Sequence, residues 1–190
     1  MSLSPLVQQQ YNELVQAVAD AQSSLAEVER CAQFIADALE AGGKVLTAGN
    51  GGSAADALHL SEELVGRYKN NRRALPAIAL AADGTALTCI GNDFGFDQIF
   101  ARQVEALGAP GDVLVLFTSS GNSQNLIRAL ETAKSRGVRT VALLGRGGGK
   151  LKGLADIEWL VPSSIGARVQ ELHGWVLHVI LEVVENRLFS

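Results

Sequence analysis

Three histidines and a small set of acids give this chain the means to move protons or to bind a metal. His59 and Glu63 are four residues apart in a stretch of helical composition, so both side chains would lie on one face of a helix. Gln170 and His178 are eight residues apart. That spacing is slightly over two helical turns and leaves them within about 80° of each other around the helix axis. Each pair can therefore face a cleft.

These four side chains suit two kinds of chemistry. Two imidazoles with a carboxylate suit a divalent metal such as zinc, although glutamine is an uncommon zinc ligand. Alternatively, Glu63 and His178 could be a general acid and base, as a ketose–aldose interconversion needs. The two roles are compatible, and both stay open from the residues alone. The alternative is a purely structural role, in which each side chain is a hydrogen-bonded polar group of the core.

Two loops rich in Gly, Ser, Thr and Asn have the composition of a phosphate site. Residues 49–53 directly precede the predicted helix that carries His59, and residues 118–123 precede a predicted helix at 124–136. Hydroxyls and backbone N–H groups at a helix N-terminus bind phosphate oxygens. Helix capping explains one serine in each loop but not several hydroxyls, so the pattern favours phosphate.

Other ligands fit these loops less well. The first loop matches a loose G-x-G-x-x-A dinucleotide pattern, which requires an acid about 20 residues further on. The nearest candidate, Asp83, is more than thirty residues past Gly51. A dinucleotide site would also leave His59 and Glu63 unexplained. A third loop, 145–150, lacks the Gly-Lys-Ser/Thr ending of a P-loop and is interpreted as a structural turn with basic residues.

Composition restricts the class of protein. With 190 residues, of which 47% are hydrophobic, the chain is expected to form one domain, 1–190, with its own core. A net charge of -4 argues against nucleic-acid and membrane-surface partners. Cys31 and Cys89 stand in apolar patterns without metal spacing, so both are expected to be reduced core residues. Without a signal-peptide pattern or a run of roughly 18 apolar residues, the expected location is cytoplasmic.

Short apolar runs alternate with helical patterns from residue 44 onward. The runs predict strands at 44–48, 77–80, 113–117, 140–144 and 158–161, with helices at 54–68, 85–90, 98–107, 124–136 and 165–188. This order predicts an α/β fold, a three-layer doubly wound parallel sheet over 44–190, with ligands at the carboxyl ends of the strands.

A helical pattern over residues 4–39 adds an N-terminal extension of about 40 residues, as one helix or as two joined near Ser23 and Ser24. Its surplus of apolar surface predicts contact with another subunit.

Several spaced motifs together resemble the phosphoheptose isomerases of the sugar-isomerase (SIS) domain family, over nearly the whole chain. The motifs are Gly49-Asn50-Gly51-Gly52-Ser53, His59-x-x-x-Glu63 running to Gly66-Arg67-Tyr68, Gly91-Asn92-Asp93, Ser120-Gly121-Asn122-Ser123, and Arg168-x-Gln170-Glu171 followed by His178. The resemblance implies a homotetramer of single-domain, flavodoxin-like subunits. It also implies conversion of D-sedoheptulose 7-phosphate to D-glycero-D-manno-heptose 7-phosphate, for the heptose of bacterial envelope glycans.

The same resemblance implies roles for individual residues. Glu63 and His178 would be the acid–base pair, and one zinc ion per subunit would be bound by His59, Glu63, Gln170 and His178. Substrate contacts are implied for Asn50, Gly51, Gly52, Ser53, Glu63, Arg67, Asn92, Asp93, Thr118, Ser119, Ser120, Ser123 and Gln170. His173 matches a family histidine and is expected to be structural.

The chain departs from the family pattern at two places. Thr118-Ser119-Ser120 replaces the usual Ser-Thr-Ser and keeps every hydroxyl. Ala167 stands where some members carry an aspartate, so a polar contact of that side chain is not expected here.

A non-enzymatic relative is the main alternative. The replication-initiator-binding factor resembles the isomerases around both loops and is a tetrameric interaction platform, but it lacks the acid and the last histidine of the catalytic pair. Glu63 and His178 are both present here, so the sequence favours an enzyme.

Overall fold

Five parallel strands form one sheet in the computed structural model, which describes residues 4–190. They are β1 Val45–Ala48, β2 Ala77–Ala79, β3 Val113–Thr118, β4 Arg139–Leu144 and β5 Ile157–Leu160. Their order is β2-β1-β3-β4-β5, and every neighbouring pair is parallel. Each strand lies within one residue of its predicted bounds.

The helices follow the predicted order. They are α1 Pro5–Ala21, α2 Leu25–Glu40, α3 Gly52–Val65, α4 Gly84–Phe94, α5 Ala101–Leu107, α6 Gln124–Ser135 and α7 Gly166–Phe189. Helix α3 ends three residues before its predicted end, because the chain leaves helical geometry at Gly66. Helix α5 begins three residues late, since a short 3-10 turn, Phe96–Gln98, precedes it.

Two hydrophobic clusters make the three predicted layers. Strand β3 is buried at every position, as expected for a parallel strand that is covered on both faces. Its Val113, Val115 and Phe117 join side chains of α2, α3 and α7 on one face of the sheet. Leu114 and Leu116 join side chains of α5 and α6 on the other. The doubly wound α/β prediction is therefore confirmed.

The N-terminal extension consists of two helices rather than one. A 3-10 turn, Gln22–Ser24, separates α1 from α2 at the predicted joint. Helix α2 buries an apolar stripe in the core, whereas α1 leaves large apolar side chains such as Leu6 and Tyr11 exposed. That exposed surface is compatible with the predicted subunit contact, which stays a prediction.

The two cysteines differ in burial, which corrects one expectation. Cys31 is buried on α2, and burial raises the pKa of its thiol to about 12. Cys89 is exposed, so the prediction of a core residue was wrong there. The apolar run around Cys89 belongs to α4, which follows the edge strand β2 and buries none of its residues. Both cysteines are free.

The sheet brings the two predicted phosphate loops to one place. Residues 49–53 follow β1 and residues 118–123 follow β3, and these two strands are neighbours in the sheet. From this pair the chain order runs outward in opposite directions, to β2 on one side and to β4 and β5 on the other. Such a point, at the carboxyl ends of the strands, is where ligands bind in open α/β sheets.

Candidate active site

A small polar pocket lies between the two loops. It encloses about 80 Å³ and is lined by Asn50, Ser53, Phe117, Thr118, Ser119, Ser120, Ser123 and Leu126. Both loops therefore contribute to one cavity, and hydroxyl groups make up most of its polar lining. Helices α3 and α6 begin beside these loops, so their N-terminal N–H groups point toward the same end of the sheet. The arrangement suits a phosphate monoester.

Backbone contacts hold the second loop in shape. The hydroxyl oxygen of Thr118 accepts a hydrogen bond from the N–H of Gly121 at 3.0 Å. Gly121 has a φ of +64°, and a Cβ there would lie 1.8 Å from the carbonyl oxygen of Gly148. The N–H of Lys150 donates to Asn122 Oδ1. The third loop thus packs under the second, which is the structural role expected of it.

Asn125 fixes the first loop and is a residue that sequence reasoning missed. The amides of Asn50 and Asn125 exchange two hydrogen bonds, of 3.0 and 2.9 Å. Asn125 is buried on α6, so this contact joins the first loop to the helix that follows the second. A buried amide early in α6 is the signal that could have identified it.

Both predicted acid–base residues, Glu63 on α3 and His178 on α7, lie beside His59. His59 Nε2 lies 3.6 Å from Glu63 Oε1, and the Glu63 side chain is 19% exposed. The ring of His178 lies edge-on to the ring of His59, with centroids 5.1 Å apart and planes at 82°. One carboxylate and two imidazoles thus share a partly open site, as the residue spacing predicts.

Gln170 packs against the start of α3. Its amide lies against Gly52 at the start of α3, where a Cβ would be 2.2 Å from Gln170 Nε2. A side chain at position 52 would therefore displace the amide of Gln170. Gln170 lies two helical turns from His178 on α7.

The donor chemistry of this face fits a divalent metal. His59, Glu62 and Glu63 each offer a ligand atom, and these atoms lie within 4.8 Å of one another. Glu62 is absent from the predicted ligand set, although its position beside Glu63 on α3 could have suggested it. Imidazole nitrogen and carboxylate oxygen are common ligands of zinc, and His178 places a second imidazole beside the group.

Asp56 is a further acid on α3 that sequence reasoning missed. Its position, three residues before His59 and seven before Glu63, puts it on the same face of the helix. Its Oδ2 atom is buried and accepts no hydrogen bond from the described residues. Burial raises the pKa of this carboxyl to about 6, against a smaller lowering by His59.

A match to a family model covers most of the chain. The SIS domain model matches residues 8–145. A phosphoheptose isomerase of Vibrio cholerae is 48% identical over 166 residues, which are 87% of this chain and 86% of the relative. A phosphoheptose isomerase of Geobacter sp. is 54% identical over 162 residues, 85% and 84% of the two chains. The chain belongs to the phosphoheptose isomerase family of SIS domain proteins.

Solved structures of phosphoheptose isomerases have the same fold along nearly their whole length. The one from Neisseria gonorrhoeae has a TM-score of 0.92 at 39% identity, and the match covers 97% of this chain and 100% of that chain. The one from Francisella tularensis has a TM-score of 0.93 at 35% identity, with the same coverage. The family assignment therefore rests on sequence and fold together.

Seven of the residues that the family resemblance implies for substrate binding do not line the pocket, namely Gly51, Gly52, Glu63, Arg67, Asn92, Asp93 and Gln170. Three of them, Arg67, Asn92 and Asp93, are exposed side chains on or beyond helix ends. Asn92 and Asp93 are exposed on α4, where the Asn92 amide donates to Asp93 Oδ1 at 2.7 Å. Arg67 is exposed just beyond the end of α3. None of the three lines the cavity between the loops. Their roles in this phosphoheptose isomerase family member stay predictions.

Proposed function

We propose that the protein is an aldose–ketose isomerase that converts D-sedoheptulose 7-phosphate to D-glycero-D-manno-heptose 7-phosphate, in heptose biosynthesis for bacterial envelope glycans. One observation carries the proposal. In a chain of this family, Glu63 and His178 both lie beside His59, and the loops at the carboxyl ends of adjacent strands line a pocket with hydroxyl groups. The non-catalytic interaction protein has no such support, since the relatives at 48% and 54% identity are isomerases.

The pocket between the loops would anchor the phosphate. Ser53, Ser119, Ser120 and Ser123 line it with hydroxyls that donate to phosphate oxygens, and the N-termini of α3 and α6 favour negative charge. Anchoring one end of the sugar phosphate holds the other end in a fixed position for reaction. The phosphate pocket would thus orient the substrate and would not take part in the chemical step.

Glu63 and His178 would share the proton transfers. One group removes a proton from carbon 1 of the ketose, while the other donates a proton to the carbonyl oxygen on carbon 2, which gives an enediol. Returning a proton to carbon 2 and removing one from the oxygen on carbon 1 gives the aldose. A general acid–base pair of this kind contributes roughly two to four powers of ten in rate.

The proposed metal is zinc, one ion per subunit, held by His59, Glu63, Gln170 and His178. When bound, zinc would polarise the carbonyl and hydroxyl oxygens of the sugar as a Lewis acid. Glu62 is an alternative donor, because it lies in the same group of ligand atoms as His59 and Glu63. The homotetramer is also part of the proposal, supported by the exposed apolar side chains of α1.

An assay with sedoheptulose 7-phosphate tests the function. The wild-type protein is expected to form the aldose, and Glu63→Gln, which keeps the size of the side chain and removes the charge, should lower kcat by about 10²- to 10⁴-fold. Full activity of Glu63→Gln would contradict the acid–base role. No turnover by the wild-type protein, together with saturable binding to a protein partner, would favour the interaction protein instead.

Metal content tests the cofactor separately. Purified wild-type protein should contain zinc in a stoichiometric amount, and His59→Ala should lose it. Comparing Gln170→Ala with Glu62→Gln shows which of the two residues binds zinc, because only substitution of a true ligand should weaken zinc binding. Stoichiometric metal in His59→Ala would remove His59 from the ligand set.

A further inference from the structure

One buried carboxylate holds the loop that follows α3. Glu185, on the last turns of α7, accepts hydrogen bonds from three successive backbone N–H groups, those of Tyr68, Lys69 and Asn70, at 3.0 to 3.1 Å. It also accepts one from Arg72 Nε at 2.7 Å. Burial alone would raise the pKa of Glu185, but these hydrogen bonds outweigh burial and lower it. The Glu185 carboxylate is therefore charged, and both of its oxygens accept hydrogen bonds.

Arg72 extends the contact to the end of α3. Its guanidinium donates to the carbonyl oxygens of Glu63 at 2.8 Å and Leu64 at 3.0 Å. These carbonyls belong to the last turn of α3, where no further helical N–H can reach them. Glu185, Arg72 and the N–H groups of residues 68–70 are called the Glu185 clamp below.

The two charged side chains of the Glu185 clamp are inaccessible to solvent. The side chain of Arg72 is 1% exposed and that of Glu185 is 2% exposed. Ion pairs at the surface contribute little, but removing one partner of a buried pair leaves an uncompensated charge. The clamp is thus a rigid connection between α3 and α7, the two helices that carry the acid–base pair.

Each end of the clamp touches a residue of the pair. At one end, Arg72 holds the backbone carbonyl of Glu63. At the other, Tyr68, whose N–H donates to Glu185, stacks its ring on that of His178, with centroids 5.7 Å apart and planes 25° apart. A change in the clamp would therefore shift both residues.

We propose that Glu185, Arg72 and Tyr68 are positioning residues for the isomerisation, which set the spacing of Glu63 and His178 and restrict the His178 ring. The proposal rests on the proposed function. None of the three lines the phosphate pocket, so they act on proton transfer and not on substrate anchoring. A displacement of about 1 Å at a reacting group can cost about 10²-fold in rate.

Kinetics of four variants test the proposal. Glu185→Gln keeps the size of the side chain. Its amide nitrogen, however, cannot accept the hydrogen bonds that one oxygen of the Glu185 carboxylate accepts from N–H groups. Tyr68→Leu removes the ring on His178 and leaves the backbone N–H in place. Both should lower kcat by about 10- to 100-fold with little change in KM. Tyr68→Phe keeps the ring and should retain kcat, which gives the matched control for Tyr68→Leu.

Glu182→Gln is the matched control for Glu185→Gln. Glu182 lies three residues earlier on α7 and pairs with Lys69 of the same loop, but the side chains of Lys69 and Glu182 are 56% and 42% exposed. Its change should leave kcat and the melting temperature near the wild-type values. An equal loss of kcat in Glu182→Gln and Glu185→Gln would overturn the proposal, because any contact between α7 and the loop would then suffice.

Nuclear magnetic resonance of isotope-labelled histidine gives a readout that does not need activity. The chain has three histidines, so the ring signals can be assigned with single His→Gln variants. The His178 signals should shift in Tyr68→Leu and in Glu185→Gln, while the His173 signals stay. Unchanged His178 signals in both would overturn the proposal, even if stability fell.

The outcomes separate the two hypotheses. If wild-type protein does not isomerise the sugar but its His178 signals respond to the clamp variants, the proposed function fails and the positioning of His178 stands. If the protein is active and the clamp variants keep full kcat, the positioning role fails alone. Should Glu185→Gln not fold, Tyr68→Leu decides, because it leaves the ion pair intact.

Discussion

Two histidines five residues apart on α7 have opposite surroundings. His178 is partly exposed and lies beside the rings of His59 and Tyr68, in a site that also holds Glu63. His173 is fully buried between Phe117 and Trp159, with its ring centroid 5.8 Å from that of Phe117 and 6.4 Å from that of Trp159. Neither ring nitrogen of His173 has a hydrogen-bond partner among the described residues.

The difference separates a residue proposed for proton transfer from a packing residue of the same type. Burial lowers the pKa of His173 to about 4, so its ring is neutral at ordinary pH and has no group to which it could pass a proton. His178 is partly exposed to solvent and lies beside His59, which in turn lies 3.6 Å from Glu63. Position on a helix relative to the cleft, not the residue type, therefore decides which histidine can take part in proton transfer.

The largest effect expected from this comparison is on turnover. His178→Gln should lower kcat by about 10²- to 10⁴-fold, because it removes one member of the proposed acid–base pair. His173→Leu, a substitution of similar size in an apolar environment, should keep kcat near the wild-type value. Steady-state assays with sedoheptulose 7-phosphate measure both. Loss of activity in a well-folded His173→Leu protein would show that the two histidines are not separated in this way.

The second effect concerns stability in acid and, of these two histidines, should involve only His173. Between pH 6.5, its ordinary pKa, and the lowered value of about 4, the unfolded chain binds a proton that the folded protein excludes. Stability therefore falls as the pH falls through that window, by about 3 kcal/mol in total. His173→Leu should lose this dependence, while His178→Gln should keep it.

Urea denaturation at about pH 7 and about pH 4.5, at one protein concentration, measures this difference. The wild-type protein and His178→Gln should lose more stability on acidification than His173→Leu does. If all three lost the same amount, the buried ring of His173 would not be the group that titrates.

Features with a local cause could be predicted from the sequence. The strands follow from short apolar runs, and the phosphate loops from glycines and hydroxyls next to helix starts. Because β1 and β3 became neighbours, the two loops met as an α/β sheet requires. The facing of His59, Glu63 and His178 followed from helical spacing once α3 and α7 packed on the same side of the sheet.

Features with a long-range cause were missed. The Glu185 clamp joins Arg72 to a residue 113 positions later, and no spacing rule indicates such a pair. The contact of Asn50 with Asn125 spans 75 positions. Cys89 was wrongly placed in the core because its apolar run gives no sign that α4 lies beyond an edge strand. Burial of a given residue depends on the neighbours that the whole fold supplies.

The smallest effect expected concerns Asp56, an acid that is partly buried, whereas His173 is fully buried. Its pKa is raised from 3.8 to about 6, so between these values the folded protein binds more protons than the unfolded chain. Stability from this group therefore falls as the pH rises through that window, opposite to the dependence from His173. After allowance for solvent screening, Asp56→Asn should stabilise the protein near pH 7 by about 1 kcal/mol.

The pH dependences of stability from Asp56 and His173 partly cancel in the wild-type protein, so only the single variants reveal them. Urea denaturation of metal-free protein at about pH 7 and about pH 4.5 tests Asp56→Asn, with the exposed Glu62→Gln on the same helix as control. Asp56→Asn should become more sensitive to acid than the wild type, because the dependence from His173 is then no longer offset. A loss of stability at neutral pH would instead mean that the Asp56 carboxylate has a favourable partner, and that its burial beside His59 is not a cost to the fold.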